Sequence, residues 1–562
     1  MSARTALWPA LALLLAGACS PSDEAAGPAP WFVEEASQRG LDFRHASGHG
    51  AAFWMPEIMG GGAALLDLEG DGDLDAYLVQ SGALAAPEDA AVADRLFTND
   101  GVGRFTPAEP PPVRGYGMGA ACGDADGDGD TDLYRTALGR NTLLVNGGGR
   151  LADGTAASGT AHGGWSTSAA FLDYDRDGAL DLFVTAYLEW SRTGELDCMD
   201  PLGRPDYCSP KNYKTPALSA LFRNAGAGAF SDVSRASGVA EKRGTGLGVA
   251  VGDLDGDGWL DVFVANDGMP NRLWKNGGDG TFADVAMLAG CGVDADGLAK
   301  AGMGVALADL DEDLDLDVFV CNLRGESDSY YRNEGGYFSD RTAAAGLAAV
   351  SKPFTRFGLA LCDFDQDGRL DVYEANGRVE RAAEAGAAGD PYAEPNLLLR
   401  ASAAGAFEEV RPRGGTAPEL LATSRAVACG DVDGDGAPDL LVVNRDGPAH
   451  LLVNRAPGRG RAALLRVLEK SGADALGATL TLELDGRRLR RDVGAAYSYL
   501  ASNDARVHVG LGAARRIEAV RVRWVDGGEE RFGPFDVGDV GDAGDAGRAA
   551  VFELRRGRGT RP

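Results

Sequence analysis

Seven times along the chain a carboxylate recurs at positions 1, 3, 5 and 9 of a nine-residue stretch that runs straight into an apolar segment, as in Asp253-Leu-Asp-Gly-Asp-Gly-Trp-Leu-Asp261 before Val262-Phe-Val-Ala-Asn266. The copies begin at Asp67, Asp124, Asp173, Asp253, Asp309, Asp363 and Asp431, at intervals of 57, 49, 80, 56, 54 and 68 residues. A unit recurring at such intervals means a repeat architecture, in which each unit buries its apolar side against the next. Whatever else the chain does, it must stack seven similar pieces.

Carboxylates held about 5 Å apart repel by roughly 3 kcal/mol per pair at an effective dielectric near 20, so a merely solvated turn of this composition would spread. Four oxygen ligands around a tight Gly turn suit a hard cation of the size of Ca²⁺. An EF-hand would put Glu at position 12 and continue as a helix. Here position 12 is apolar in most copies, as in Leu78, Val184 and Val264, and the Val, Phe, Leu and Tyr around it predict a strand. The expected ligand sets are Asp67, Glu69, Asp71 and Asp75; Asp124, Asp126, Asp128 and Asp132; Asp173, Asp175, Asp177 and Asp181; Asp253, Asp255, Asp257 and Asp261; Asp309, Asp311, Asp313 and Asp317; Asp363, Asp365, Asp367 and Asp371; and Asp431, Asp433, Asp435 and Asp439. Up to seven Ca²⁺ ions are expected. The fifth loop carries Leu314 where the others have Gly, which costs of order 1 kcal/mol in a left-handed turn, so the site at Asp309 is predicted to be the weakest.

After each loop the pattern reads as a second strand, a connection, a third strand such as Arg272-Leu-Trp-Lys-Asn276, a Gly turn and a fourth strand such as Thr281-Phe-Ala-Asp-Val285. Four antiparallel strands with strong turns make a propeller blade. Behind the seventh loop the third strand, Ala449 to Asn454, has no such fourth strand after it, whereas Trp31 to Ala36 near the N-terminus matches one. The predicted fold is therefore all-β: a seven-bladed β-propeller over residues 31–457, its last blade completed by the N-terminal strand, which removes an open edge. From Ala462 alternating strands replace the loops, with Asp485-Gly486 as a hairpin turn, and residues 462–555 are expected to form a separate small β domain. The Gly-rich run 537–547 is expected to be a loop.

Ahead of the propeller, Arg4, an apolar run from Leu7 to Leu15 and Ala16-Gly-Ala-Cys19 read as a signal peptide, too short to span a bilayer. It resembles a bacterial lipoprotein signal over residues 1–19, with Cys19 as the lipidated residue, Ala16 departing from the usual Leu, and residues 20–30 as a tether to the outer membrane. The chain is thus expected to be exported, monomeric and held to a membrane only by lipid. With 84 Asp and Glu against 54 Lys and Arg, a net charge of −30 leaves nothing to neutralise phosphates, and nucleic acid is excluded as a partner.

With these residues in view, the propeller resembles the FG-GAP or VCBS repeats of integrin α-subunits, and more nearly those of the cartilage acidic protein 1 family. Residues 465–535, including Ser498-Tyr-Leu-Ala-Ser-Asn-Asp504 and Val507-His-Val-Gly-Leu-Gly512, look like the ASPIC/UnbV domain of that family. The resemblance implies that the cation loops join the first and second strands of each blade on one face of the disc, with a position 7 carbonyl as a further ligand. It implies little about activity.

Cys198 and Cys208 flank a connection in the third blade and are expected to form a disulfide in an exported chain. Cys122, Cys362 and Cys429 read as buried apolar residues, and Cys291 and Cys321 are given no partner. His45 and His49 lie in a Gly-rich connector and read as structural; no nucleophile or phosphate motif is present. The expected function is a lipid-anchored, calcium-stabilised propeller that binds protein or polysaccharide at the cell surface; the alternative is an enzyme on the same scaffold, such as a calcium-dependent polysaccharide lyase. The partner is expected on the face opposite the loops, where the insertions Tyr187–Pro216 and Ala375–Pro395 project and where Trp54, Glu57, Tyr116, Trp165, Trp190, Tyr207, Phe354 and Arg356 supply aromatic and charged groups.

Overall fold

The computed structural model describes residues 28–85, 93–109, 111, 113–382, 389–538 and 549–561. Seven sheets of the repeat type each begin with an inner strand: Ala63–Leu66, Tyr116–Gly123, Ser166–Leu172, Gly246–Gly252, Val305–Ala308, Arg356–Cys362 and Ser424–Gly430. Each inner strand touches that of the next blade, and the seventh touches the first. The crowding at the axis explains their Gly and Ala content: a Cβ on Gly304 would lie 2.1 Å from the Phe357 carbonyl oxygen, and one on Gly248 2.3 Å from that of Met303. Phe32–Glu34 pairs antiparallel with His450–Asn454 as the outer strand of the seventh blade, Val33 opposite Val453.

Every second strand starts at the position 9 Asp of its loop and is buried along its length, because it lies between two neighbouring blades and both of its faces meet apolar side chains. Every third strand but one ends in Asn, and the amide of that Asn crosses to the preceding blade. Asn99, Asn146, Asn224, Asn276, Asn333 and Asn454 donate to the position 2 carbonyls of Val432, Leu68, Ala125, Tyr174, Leu254 and Phe364, at 2.7–3.0 Å. Asn99 reaches the seventh blade from the first. The sixth blade has Ala401 at this place, so the seam between blades five and six lacks the link.

Residues 461–555 form a three-stranded and a four-stranded sheet around Leu465, Val467, Leu480, Leu482, Val520 and Trp524. This C-terminal unit packs directly on the propeller. Its core is continuous with Ala121, Tyr134, Phe171 and Leu182 of the second and third blades, and the segment 497–504 enters the axial channel of the propeller. There Ala501–Ser502 adds a parallel fifth strand to the first blade. Ser498 exchanges backbone bonds with Val305, its hydroxyl bridges Leu359 N and the Val427 carbonyl, and Leu500 N donates to the Ser168 hydroxyl at 3.0 Å. Tyr499 and Leu500 are fully buried among Met118, Leu247, Met303 and Phe357. Ser498 and Leu500 hold left-handed backbone at φ 89° and 57°, a conformation the surrounding strands impose. No helix among the described residues is long and apolar enough to cross a membrane. The signal, including Cys19, the tether up to residue 27 and most of the 537–547 run lie outside the described residues.

Candidate metal centres

In the fourth loop Asp253 Oδ2 accepts Gly258 N–H at 3.0 Å, Asp257 Oδ1 accepts Trp259 N–H at 2.9 Å, and Asp261 accepts Leu254 N–H at 3.1 Å and Asn276 N–H at 2.9 Å. These short-range bonds wind the chain so that its carboxylates turn inward. The position 9 Asp takes the same two kinds of backbone donor in all seven copies; Asp132 is held by Ala125 and Asn146, and Asp439 by Val432 and Asn454. Position 6 is left-handed throughout, with φ of 94° at Gly72 and 93° at Gly258, and Leu314 is forced to 77°. Position 4 is left-handed as well. Gly70, Gly127, Gly256 and Gly434 meet that demand freely, whereas Arg176, Glu312 and Gln366 meet it at a cost. Four Gly among seven copies was the signal that sequence inspection missed.

The ligand atoms converge. In Asp124, Asp126 and Asp132, in Asp173, Asp175 and Asp181, in Asp253, Asp255 and Asp257, and in Asp309, Asp311 and Asp313, one oxygen from each residue lies within 4.8 Å of the others. Sealed carboxylate oxygens without any hydrogen-bond partner occur at position 1 in Asp67, Asp253 and Asp431 and at position 3 in Asp175, Asp311, Asp365 and Asp433, which covers every loop but the second. Buried polar atoms are normally paired, so these oxygens lack a ligand, and a hard cation fits their chemistry. Burial, the largest cause, pushes the position 9 carboxyls up to about 8 at Asp181 and Asp261 and about 7 at Asp132 and Asp317. At Asp75 burial comes first and Glu69 second, with the same result of about 8.

Two sets of basic residues around the loops were not expected from sequence. From the third strands Arg223, Lys275, Arg332 and Arg400, and from just past the last of these strands Arg455, pair with the position 3 and 5 carboxylates of loops three to seven; Arg223 reaches Asp177 at 2.8 Å and Arg400 reaches Asp365 at 2.6 Å. The C-terminal domain caps the same face. Arg466 binds Asp67 Oδ2 and Arg523 binds Asp253 Oδ2, each at 3.2 Å, leaving Oδ1 of both carboxylates free to face the loop. Arg490, Arg491 and Arg506 donate to the loop carbonyls of Leu314, Gly368 and Gly72, and the His508 ring binds that of Gly436 at 2.7 Å. These arginines hide in strands that otherwise alternate as ordinary surface.

On the opposite face the expectation is corrected in part. Tyr116, Trp165 and Arg356 are buried to 1% exposure or less, and Glu57 and Tyr207 are buried too; only Trp54, Trp190 and Phe354 remain half-buried. The described parts of the two insertions fold across the axis and meet: Tyr392 donates to Asp206 Oδ1 at 2.6 Å, Arg381 N–H to Asp206 Oδ2 at 2.8 Å, and Tyr207 lies between His49, Phe53 and Tyr392. Cys198 and Cys208 form the disulfide, S–S 2.05 Å. Cys362 and Cys429, expected as lone apolar residues, are joined as well, because they stand on adjacent inner strands; Cys122, Cys291 and Cys321 are free and buried.

Residues 67–135, 124–184, 203–264, 253–320 and 309–374 match the FG-GAP-like repeat, and residues 468–539 match ASPIC and UnbV. The chain belongs to the FG-GAP-like repeat family, as a propeller that carries an ASPIC/UnbV domain. Among individual proteins it is similar to cartilage acidic protein 1: 31% identical to the Homo sapiens protein over 318 residues, 56% of this chain and 45% of that one, and 29% identical to the Xenopus tropicalis protein over 321 residues, 53% and 44% of the two chains. This chain spans less than half the length of these relatives. Of solved structures, YCF48 bound to D1 peptide is 10% identical with a TM-score of 0.38, covering 73% of this chain and 97% of that one, and rhamnogalacturonan lyase YesW is 14% identical with a TM-score of 0.37, covering 70% and 71%. Likeness at that level bears on neither ligand nor activity.

Proposed function

We propose that this protein is a calcium-loaded binding propeller, exported and held at the bacterial outer membrane through lipid on Cys19, that engages a protein or glycan partner with the face opposite its cation loops. The observation that carries the calcium reading is the set of sealed, unpartnered carboxylate oxygens in six of the seven loops. Position 1, 3, 5 and 9 carboxylates would hold the ion and supply all of its charge compensation; no chemistry is asked of it beyond holding the loops closed. Calcium that binds only the folded chain adds RT ln(1 + [L]/Kd) per site, several kcal/mol over several sites. Differential scanning calorimetry in excess chelator and in millimolar Ca²⁺ tests this: a rise in melting temperature of many degrees is expected, and an unchanged one defeats the reading.

For the partner, the disulfide-pinned connection offers Leu196, Met199 and Leu202, which are 38%, 62% and 67% exposed, above a lid whose other aromatic residues are spent on packing. Cutting out the whole loop would remove Asp206 and Tyr207 and open the lid, so the test is the double variant Met199→Ser and Leu202→Ser. Capture of envelope partners should fall at least tenfold with calcium-dependent melting intact, whereas equal capture places the contact elsewhere.

A further inference from the structure

The seam between blades five and six, already distinct in lacking its Asn link, also departs from the others at the far end. In the fourth residue of the second strand the blades carry Leu78, Arg135, Val184, Val264, Val320 and Val442, but the sixth carries Glu374. Cys321 stands where other blades have Val, Thr or Ala, and Asp328 just ahead of a third strand has a counterpart only in Asp94. At the seam of blades one and two Arg135 Nε binds Asp94 Oδ2 at 2.6 Å, Gln80 N–H binds Oδ1 at 2.8 Å and the Tyr77 hydroxyl completes the set, so one acid meets one base and no oxygen is left over.

At the fifth seam the account does not close. Arg356 gives Nε to Asp328 Oδ1 at 2.6 Å, Nη1 to the carbonyls of Ser351 and Phe354, and Nη2 to that of Glu326. Asp328 Oδ2 and both oxygens of Glu374 have no partner, and Cys321, Asp328 and Glu374 are all 0% exposed, with one ligand atom from each within 4.8 Å of the others. Two carboxylates this close and this dry need a positive charge between them, and Arg356 serves only one.

We propose that Cys321, Asp328 and Glu374 bind a borderline-soft divalent cation of the Zn²⁺ class, distinct from the seven acidic loops. The thiol decides the class: Ca²⁺ takes six to eight oxygen ligands, whereas thiolate with carboxylate is a zinc donor set. Charge balances as well. A Cys thiolate and two carboxylates carry three negative charges, and the ion with Arg356 carries three positive. Without metal, burial first and Asp328 second raise the Glu374 carboxyl far above its ordinary range, and burial first and Glu374 second raise the Cys321 thiol, so both hold protons that uptake of the ion releases. The connection 322–328 runs from Cys321 to Asp328, and its Arg324 and Gly325 are exposed.

The test uses the full chain, kept in Ca²⁺, loaded with Zn²⁺ and freed of excess metal. Elemental analysis should find one zinc per chain in the parent and none in Cys321→Ser or in the near-isosteric Glu374→Gln. Cobalt-loaded parent should show a thiolate-to-cobalt charge-transfer band that both variants lose, while their calcium-dependent melting is unchanged; the loops contain no sulfur and cannot give that band. Absence of stoichiometric zinc and of the band in folded parent overturns the proposal in favour of a proton shared by the two carboxylates. A band that survives Cys321→Ser overturns it too, by placing the metal on Cys122 or Cys291. Should Cys321→Ser fail to fold, Glu374→Gln decides alone.

Discussion

At the cation-loop end of the ring six seams are joined by the same side chain making the same bond, an Asn amide to the position 2 carbonyl of the blade before. At the other end no two described seams are alike. His45 bridges Ser81 and Asp446 between blades seven and one, Asp94 meets Arg135 between one and two, Tyr187 meets Asp267 between three and four, and Cys321, Asp328, Glu374 and Arg356 gather between five and six. The difference follows from what each end must do. A loop that folds around a cation tolerates one geometry, so its neighbours are fixed with it. The connections at the far end differ in length from blade to blade, and each seam there has been sealed with whatever side chains its own connection brings.

The comparison can be broken most forcefully by acid. Burial, first among the causes, lowers the His45 ring to about 4. The unfolded chain takes up that proton near pH 6.5 and the folded chain does not, so stability falls as pH drops from 6.5 towards 4, by as much as about 3 kcal/mol. In calcium-saturated protein His45→Gln should flatten this part of the stability profile while Asn333→Ala should leave its slope untouched; equal slopes in parent and His45→Gln would deny the far end its individuality. Next in size, Asn333→Ala orphans the carbonyls of Leu254 and Leu316 and should cost about 2 kcal/mol in urea unfolding. Ala401→Asn installs the missing link, since the Ala401 backbone already donates to Asp371 Oδ1 as the Asn residues do to their own position 9 carboxylates, and should gain about 1 kcal/mol. The smallest effect is expected from Leu314→Gly, which relieves a left-handed Leu by up to about 1 kcal/mol and should raise cation affinity at the fifth loop, measurable by terbium luminescence in a chain carrying position 1 Ala substitutions in the other six.

Legibility in the sequence divides along the same line. The loops, the strands after them and the strain at Leu314 were readable because each is local: ligand and turn lie within nine residues. The Asn at the end of the third strands was visible, but its bond was not, because the partner carbonyl lies 78 to 102 residues away in five of the links. Tyr116, Trp165 and Arg356 looked exposed because they sit at connector ends, and only the folding of the two insertions over the axis shows why they are sealed. Arg466 and Arg523 looked like surface charges on alternating strands, and their meeting with Asp67 and Asp253 depends on a docking that no local pattern announces.

Within the segment 497–504, Tyr499 and Leu500 fill a bore lined by Met118, Leu247, Met303 and Phe357, residues made long before them. A chain stopped short of residue 497 therefore holds every loop and the four antiparallel strands of every blade and still has a hollow centre, with those side chains facing water. Completion of the ring is reported from its end: the molecule acquires a solid interior only when its last domain arrives, so a chain broken off in synthesis or export is marked by an open, apolar throat.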